Sequence, residues 1–387
     1  MSTTTADDLP DDIMEEIFTR CPAKSFAQLQ IKYVCKPWHN LISTFSSKSN
    51  FIQSHLNRSI ERDCPNLLLT NFGMMLRTQL YSSTLNSSCY ESNVEEIQNP
   101  FKETHLVTEV LGSCNGLICL YMDNNSLCLL NPCTREHKFI DLGKNLDVDC
   151  CAAYGLGYDS VVDEYKLVHV DRYEYFDDGC NSQVNVYSFN DNCKATCLMN
   201  FDVPYKVING DISGIYLNGA LHWVAIHKDK LETETIVSFD MRETCFRELL
   251  SPNQFREKAT IEVGMLRGSQ LCMLCYFPRG DIQVWVMNQY GVIDSWIQQF
   301  AFEEAVLPSV CKLRSLSLEK HKEILYRVTP LYFFESGEIL IKDRMDFVVY
   351  DPKQQTTRKL NILGMPDVPL PQIGDLHSKS CPVEIGY

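Results

Sequence analysis

The 387 residues are 45% hydrophobic and carry a formal net charge of −15. No stretch of eighteen apolar residues occurs, so no helix of the sequence is expected to span a membrane. The first 60 residues hold six acidic and six basic side chains, which leaves the whole negative charge on the rest. A body that acidic argues against nucleic-acid binding, which needs a basic footprint, and favours a basic protein partner through steering. Acidity that serves solubility alone is the competing reading.

Residues 1–8 are short, polar and acidic, without the basic and apolar regions of a secretion signal. The expected location is therefore the cytoplasm, with the nucleus also open. The first predicted helix begins at Pro10, whose missing N–H is tolerated there and whose φ is pre-set. Asp7 or Asp8 can cap it, and Asp11, Asp12, Glu15 and Glu16 place negative charge near its positive end. Ile13, Met14, Ile17 and Phe18 read as one apolar stripe, and Arg20 closes the helix. Pro22 starts a second short helix, and Pro37 a third with Trp38, Leu41 and Ile42 on its apolar side. A unit of about fifty residues buries little surface alone. Ile13, Ile17, Val34 and Trp38 must therefore pack on the downstream domain or dock on a partner, and spacing alone leaves both open.

Residues 57–105 are mixed and polar and read as a connection leading into irregular first strands. From about Leu106 the chain changes to short alternating runs between turn signals, an all-β pattern. The runs repeat in kind: an apolar strand, a turn carrying Asn131, Asp240, Asn288 or Asp351, then a second strand. Asn115-Gly116, Asn218-Gly219 and Ser336-Gly337 mark preceding hairpins. A module of four strands recurring every 45–60 residues or so predicts a β-propeller of unspecified blade number, rather than a sandwich. Residues 365–387 are Pro-rich and are expected to form a tail or a partly ordered closing strand.

The search for chemistry returns little. The 18 cysteines lie scattered, several on apolar runs (Cys119, Cys128), and suit reduced core thiols. Cys272 and Cys275 have metal-ligand spacing but no second pair and no nearby His pair. Gly112-Ser113-Cys114-Asn115-Gly116 fits a nucleophile-elbow spacing, yet a strand-like run follows where the elbow needs a helix. His222 beside Trp223 has no nucleophile tied to it and reads as structural. No cofactor, metal or enzyme activity is expected. A sharper candidate lies in residues 141–180, which hold ten acidic and three basic side chains. There Asp171, Tyr173, Glu174, Tyr175, Phe176, Asp177 and Asp178 mix carboxylates with aromatics between two predicted strands, a composition suited to a basic protein surface. The aromatics facing the core is the alternative.

Leu9-Pro10-Asp11-Asp12, Ile17, Cys21-Pro22-Ala23-Lys24-Ser25 and Val34-Cys35-Lys36-Pro37-Trp38 with Leu41-Ile42 resemble a plant F-box, over residues 9–56. Phe51, His55, Leu56, Asn57 and Arg58 resemble the short helix that follows it. Between Ser25 and Val34 the chain is two residues longer than the family pattern, which would turn a helix by about 200° unless a loop absorbs it. Gly155-Leu156-Gly157-Tyr158-Asp159, Tyr216-Leu217-Asn218-Gly219-Ala220-Leu221-His222-Trp223, Ser238-Phe239-Asp240 and Tyr350-Asp351-Pro352 resemble the F-box-associated domain, over residues 106–364. The resemblance implies a small all-α three-helix F-box followed by an all-β, kelch-like β-propeller. It further implies a substrate receptor of an SCF ubiquitin ligase. Leu9, Pro10, Ile13, Ile17, Pro22, Val34, Trp38, Leu41 and Ile42 would bind the Skp adaptor and, through it, the cullin scaffold. The propeller would hold a target for ubiquitination and degradation. The spread of motifs is similar to the S-locus F-box group, whose targets are basic pistil ribonucleases in self-incompatibility. An interaction propeller with a degenerate F-box and no ligase is the alternative, and the two-residue insertion is the feature that supports it.

Overall fold

The computed structural model describes residues 10–21, 51, 54–55, 57–58, 66–72, 78–85, 91–93, 95–97, 107–122, 124–142, 152–171, 182–189, 194–208, 213–229, 233–249, 259–266, 269–277, 280–303, 307, 329–343, 346–363 and 383–386. Helix α1 spans Asp11–Arg20, with Pro10 at its N-cap and no side-chain cap. Asp7 and Asp8, the expected caps, lie outside the described residues. Arg20 stands in the last turn, where a cation meets the negative end of the helix.

The rest is strand. Blade 1 holds β1 (Asn66–Phe72), β2 (Thr78–Thr84) and β4 (Glu95–Glu96), with β3 (Glu91–Asn93) set aside from it. Blade 2 is β5 (Val107–Cys114), β6 (Leu117–Met122), β7 (Ser126–Leu130) and β8 (His137–Asp141). Blade 3 is β9 (Ala153–Asp159), β10 (Glu164–Val170), β11 (Ser182–Phe189) and β12 (Ala195–Val203). Blade 4 is β13 (Tyr205–Val207) and β14 (Ile215–Leu217), which both pair β15 (Ala220–His227), then β16 (Glu234–Asp240) and β17 (Cys245–Leu249). Blade 5 is β18 (Thr260–Leu266), β19 (Gln270–Tyr276), β20 (Asp281–Met287) and β21 (Trp296–Glu303). Blade 6 is β22 (Thr329–Phe333), β23 (Ile339–Asp343), β24 (Asp346–Asp351) and β25 (Thr356–Lys359). Then β26 (Asn361–Leu363) runs parallel to β3, and β27 (Val383–Gly386) pairs antiparallel with β1. Among the described residues the result is five four-stranded sheets, one five-stranded sheet and the two-stranded β26–β3 pair.

These sheets form a closed ring, a β-propeller. The inner strands β27, β5, β9, β14, β18 and β22 each approach the next, and β22 returns to β27. Blade 1 is composite, because its innermost strand comes from the C-terminus. Residues 383–386 thus hold the ring shut, within the interval expected to be a tail or a partly ordered closing strand. Residues 57–105, expected to hold a connection and irregular strands, supply the other three strands of that blade.

Alternation explains the core. Each strand sends successive side chains to opposite faces, and each face meets a neighbouring blade. Among the described residues, the buried apolar side chains of the blades accordingly fall into six clusters, one per seam. Val168 and Val184 of blade 3 join Leu221 and Trp223 of blade 4, and Val224 of blade 4 joins Met273 and Trp285 of blade 5. Burial of each such side chain contributes on the order of 1.5–3 kcal/mol. Blades also approach closely where glycine permits it: a Cβ at Gly112 of β5 would come within 2.5 Å of the Leu156 backbone N on β9.

The turns are largely those expected. Asn115-Gly116 and Asn218-Gly219 both have positive φ at both residues, as the two-residue hairpin turn requires. At Ser336-Gly337 only Gly337 does, in a three-residue loop closed by Gly337 N–H to Phe334 O at 2.9 Å. Between third and fourth strands, Asn131, Asp240 and Asp351 share one design. Each side-chain Oδ1 accepts backbone N–H groups two and three residues on, at 2.8–3.2 Å. The residue four places on (Arg135, Thr244, Gln355) is then left-handed. Asn288 departs from this pattern. Its turn is longer, and Ser295 Oγ stitches it by donating to carbonyls.

Candidate functional site

Helix α1 divides the stripe that the spacing joined. Met14 and Phe18 are 2% and 1% exposed, whereas Ile13 and Ile17 are 45% and 42% exposed. The two isoleucines lie one turn apart and so share a face. A ten-residue helix is marginal alone, so the inner pair anchors it and the outer pair is left for another surface. Pro10 at the helix start is exposed as well. Leu9, Pro22, Val34, Trp38, Leu41 and Ile42, the remaining expected adaptor contacts, lie outside the described residues.

The described positions among 51–58 are helical, with Phe51 buried. Arg58 and His55 fasten this stretch to α1 and its C-cap. Arg58 Nη2 donates to both Glu16 carboxylate oxygens at 2.6 Å, and His55 Nε2 donates to Cys21 O at 2.7 Å. Glu16 thus serves as a mid-helix anchor for Arg58 and Arg20, rather than as charge for the helix start. Hydrogen bonds from Arg58 and then Arg20 hold its carboxyl below the usual range. The sequence offered no signal for this pairing beyond a charged residue on each segment.

Strand order gives the propeller two unlike faces. First-to-second and third-to-fourth turns share one face, which carries Asn115-Gly116, Asn218-Gly219 and the Asn131, Asp240 and Asp351 turns. Second-to-third connections and links between blades share the other. Since β1 is second in its blade, beside β27, the chain enters from α1 on the first, tight-turned face. The described strand ends that flank the intervals 98–106, 143–151, 172–181, 250–258, 304–328 and 364–382 lie on the second. The acidic-aromatic candidate belongs to one of these intervals. Asp171 ends its described part: its N–H donates to Gln183 O at 2.9 Å, and its Oδ1 lies 3.1 Å from His169 Nε2. Tyr173, Glu174, Tyr175, Phe176, Asp177 and Asp178 lie outside the described residues.

The residues weighed for chemistry take structural places. His222 is fully buried. Its Nδ1–H donates to Ile215 O at 3.0 Å, and its Nε2 accepts from Tyr290 OH at 2.7 Å. Burial lowers its pKa to about 4, and the hydrogen bond to Ile215 only partly opposes this. Lys166 and Asp159 form a buried ion pair at 2.6 Å, and Lys166 also donates to Met241 O of the next blade at 3.1 Å. Cys272 and Cys275 are three residues apart on β19 and sit in different clusters, on opposite faces of the sheet. They cannot grip one metal ion. Burial pushes both thiols up. Cys114 and Asn115 sit in the β5–β6 hairpin, with no helix after them. Trp223, Trp285 and Trp296 are all buried and give no stacking platform for sugars.

A family model described as F-box domain matches residues 7–50, and one described as F-box associated beta propeller domain matches residues 71–367. The chain belongs to the F-box proteins with an F-box associated propeller. Relatives in Arabidopsis thaliana agree. F-box protein CPR1 is 29% identical, covering 81% of this chain and 78% of the relative. An F-box/kelch-repeat protein is 30% identical over 74% of this chain and 78% of its own length. Another F-box protein is 27% identical over 93% and 88%. Among solved structures, the SapL1 lectin in complex with alpha methyl fucoside overlaps at a TM-score of 0.40 and 8% identity, covering 78% of this F-box protein and 97% of the lectin chain. That likeness is too remote to carry a functional argument.

Proposed function

We propose that this F-box protein is the substrate-recognition subunit of an SCF-type ubiquitin ligase. The observation that carries the reading is the exposed pair Ile13 and Ile17 on a helix whose other apolar pair is buried. An apolar face left open beside a fixed anchor suits adaptor docking. Pro10, Leu9, Pro22, Val34, Trp38, Leu41 and Ile42 are proposed to complete the contact with the Skp adaptor, which brings the cullin scaffold. The target is proposed to dock on the second propeller face, away from chain entry, where Asp171–Asp178 is the candidate anchor. The subunit would contribute proximity between target lysines and the ubiquitin-loaded enzyme, not bond chemistry. The net charge of −15 supports a basic target, pistil ribonucleases of self-incompatibility being the finer proposal. Kelch-like blades, degradation of the target, and action in cytoplasm or nucleus belong to the same reading.

The test is capture of the full chain by a plant Skp adaptor. Wild type is expected to bind and Ile17→Asp to lose binding about a hundredfold or more, since it buries a carboxylate in an apolar contact. An unchanged thermal melt shows that the exposed substitution leaves the fold intact. Failure of wild type to bind would overturn the reading and leave an interaction propeller whose F-box is spoiled between Ser25 and Val34.

A further inference from the structure

Outer strands of a propeller are open edges, and this chain guards most of them with charge. β4 carries Glu95 and Glu96, β8 Lys138 and Asp141, β17 Arg247 and Glu248, and β25 Arg358 and Lys359. The outer strands of blades 3 and 5 are different, with one charge each, Asp202 and Glu303, and blade 5 exposes Ile297 at 46%. Over Ala195–Val203, β12 is the longest described strand and has Asp202 as its single charge. Leu198 and Met199 stand 49% and 41% exposed at its middle, with Cys197 exposed beside them. Leu198 is the extra residue of a β-bulge, with no partner on β11, because Tyr187 pairs Cys197 and Val186 pairs Met199.

Blade 5 supplies the internal comparison. Its outer strand β21 has a bulge at the same place, with Val284 paired to Phe300 and Trp285 to Gln298. The extra residue there is Gln299. The bulge therefore does not demand an apolar side chain, and Leu198 is not explained by the fold. The sequence around Leu198 carries a second feature: it is chemically palindromic. Reading outward, Cys197 mirrors Met199, Thr196 mirrors Asn200, Ala195 mirrors the larger but also apolar Phe201, and Lys194 mirrors Asp202. Lys194 and Asp202 are both exposed. Its isolated backbone bridge to Asp141 of blade 2 fixes where Lys194 sits. The same reflection of β21 about Gln299 sets Gln298 against Phe300 and Ser295 against Glu303, with no opposite charges.

We propose that the outer edge of blade 3 is a two-fold contact with a second copy of this chain. Two β12 strands lie antiparallel with Leu198 against Leu198 at the axis, Cys197 and Met199 closing over them. Lys194 of each copy then meets Asp202 of the other, one ion pair at either end. A two-fold interface must be self-complementary, and a palindrome with opposite charges at its ends satisfies that condition. The bulge interrupts the backbone ladder, so side chains rather than a continuous sheet make the contact. This contact is independent of adaptor docking.

Sedimentation velocity of the full chain tests it. Wild type is expected to show a concentration-dependent dimer below about 100 µM, the range of a small interface. Leu198→Glu places two carboxylates at the axis and is expected to raise the dissociation constant about a hundredfold or more. Lys194→Asp alone sets like charges against Asp202 at both ends and weakens the dimer about tenfold, and adding Asp202→Lys restores it. Gln299→Glu, the blade 5 control, leaves it unchanged. A wild type that stays monomeric overturns the proposal, as does a dimer indifferent to Leu198→Glu or a charge swap that fails to restore association.

Discussion

Lys166 and His222 hold the same place in adjacent blades, each the third residue of the second strand. Each reaches back to the first strand of its own blade and forward to the third-to-fourth turn of the next. Lys166 does so as an ion, to Asp159 and Met241 O. His222 does so as a neutral ring, to Ile215 O and Tyr290. At the corresponding places in blades 2, 5 and 6 stand Cys119, Cys272 and Ile341, all buried and none charged. The contrast teaches that the position specifies reach across the seam and leaves the chemistry free. It also separates the two polar seams by the conditions that break them.

The largest effect should come from removing one charge. Lys166→Met leaves Asp159 buried without its cation and is expected to cost about 3–5 kcal/mol, read as a lower denaturation midpoint in urea. Acid should act next, and on the other seam. The folded pKa of His222, about 4, lies below its ordinary 6.5, so the unfolded chain binds the proton more readily. The stability held above pH 6.5 is therefore lost as pH falls toward 4, by roughly 3 kcal/mol. Urea titrations across that range should show this slope in wild type and a shallower one in His222→Asn. Asp159 behaves otherwise. Burial raises its pKa, but the Lys166 ammonium and the Val161 N–H outweigh that and hold it below the usual carboxylate range. Its seam is lost only at still lower pH.

Tyr290→Phe sharpens the comparison further. It removes the donor to a buried nitrogen and is expected to cost about 1–3 kcal/mol, measured the same way at pH 7. The smallest change is expected from Lys166→Met with Asp159→Asn, which removes both charges and keeps an acceptor for Val161 N–H. That pair should cost less than about 1.5 kcal/mol. A double variant as damaged as the single would mean that Lys166 matters for packing, not charge.

Much of the propeller was legible because its turns are local chemistry. An Asn or Asp that accepts two N–H groups within three residues writes its role into a short stretch, and three of the four marked turns carry it. Hairpins at Asn115-Gly116 and Asn218-Gly219 were legible for the same reason. A closing strand was one of two readings of residues 365–387, but its partner was not legible, since nothing in Val-Glu-Ile-Gly points to Asn66–Leu69. On α1, the spacing of Ile13, Met14, Ile17 and Phe18 marks apolar positions but not which pair is covered. Burial of Met14 and Phe18 settles that, and the Arg58 clamp on Glu16 joins residues 42 apart that no periodicity relates. The acidic-aromatic stretch stays a reading of composition.

The composite blade also sets a clock. β1 and β2 are made long before the innermost strand of their blade, which follows about three hundred residues later. At usual synthesis speeds the interval is roughly a quarter of a minute to a minute. Blades 2 to 5 can pair with their sequence neighbours during that time, while blade 1 waits. A chain cut short before Val383 should therefore leave Asn66–Thr84 open to protease although the later blades resist. Blade 1, which holds the earliest of the described strands, is thereby completed by the latest of them, so a chain cut short there exposes unpaired strand edges.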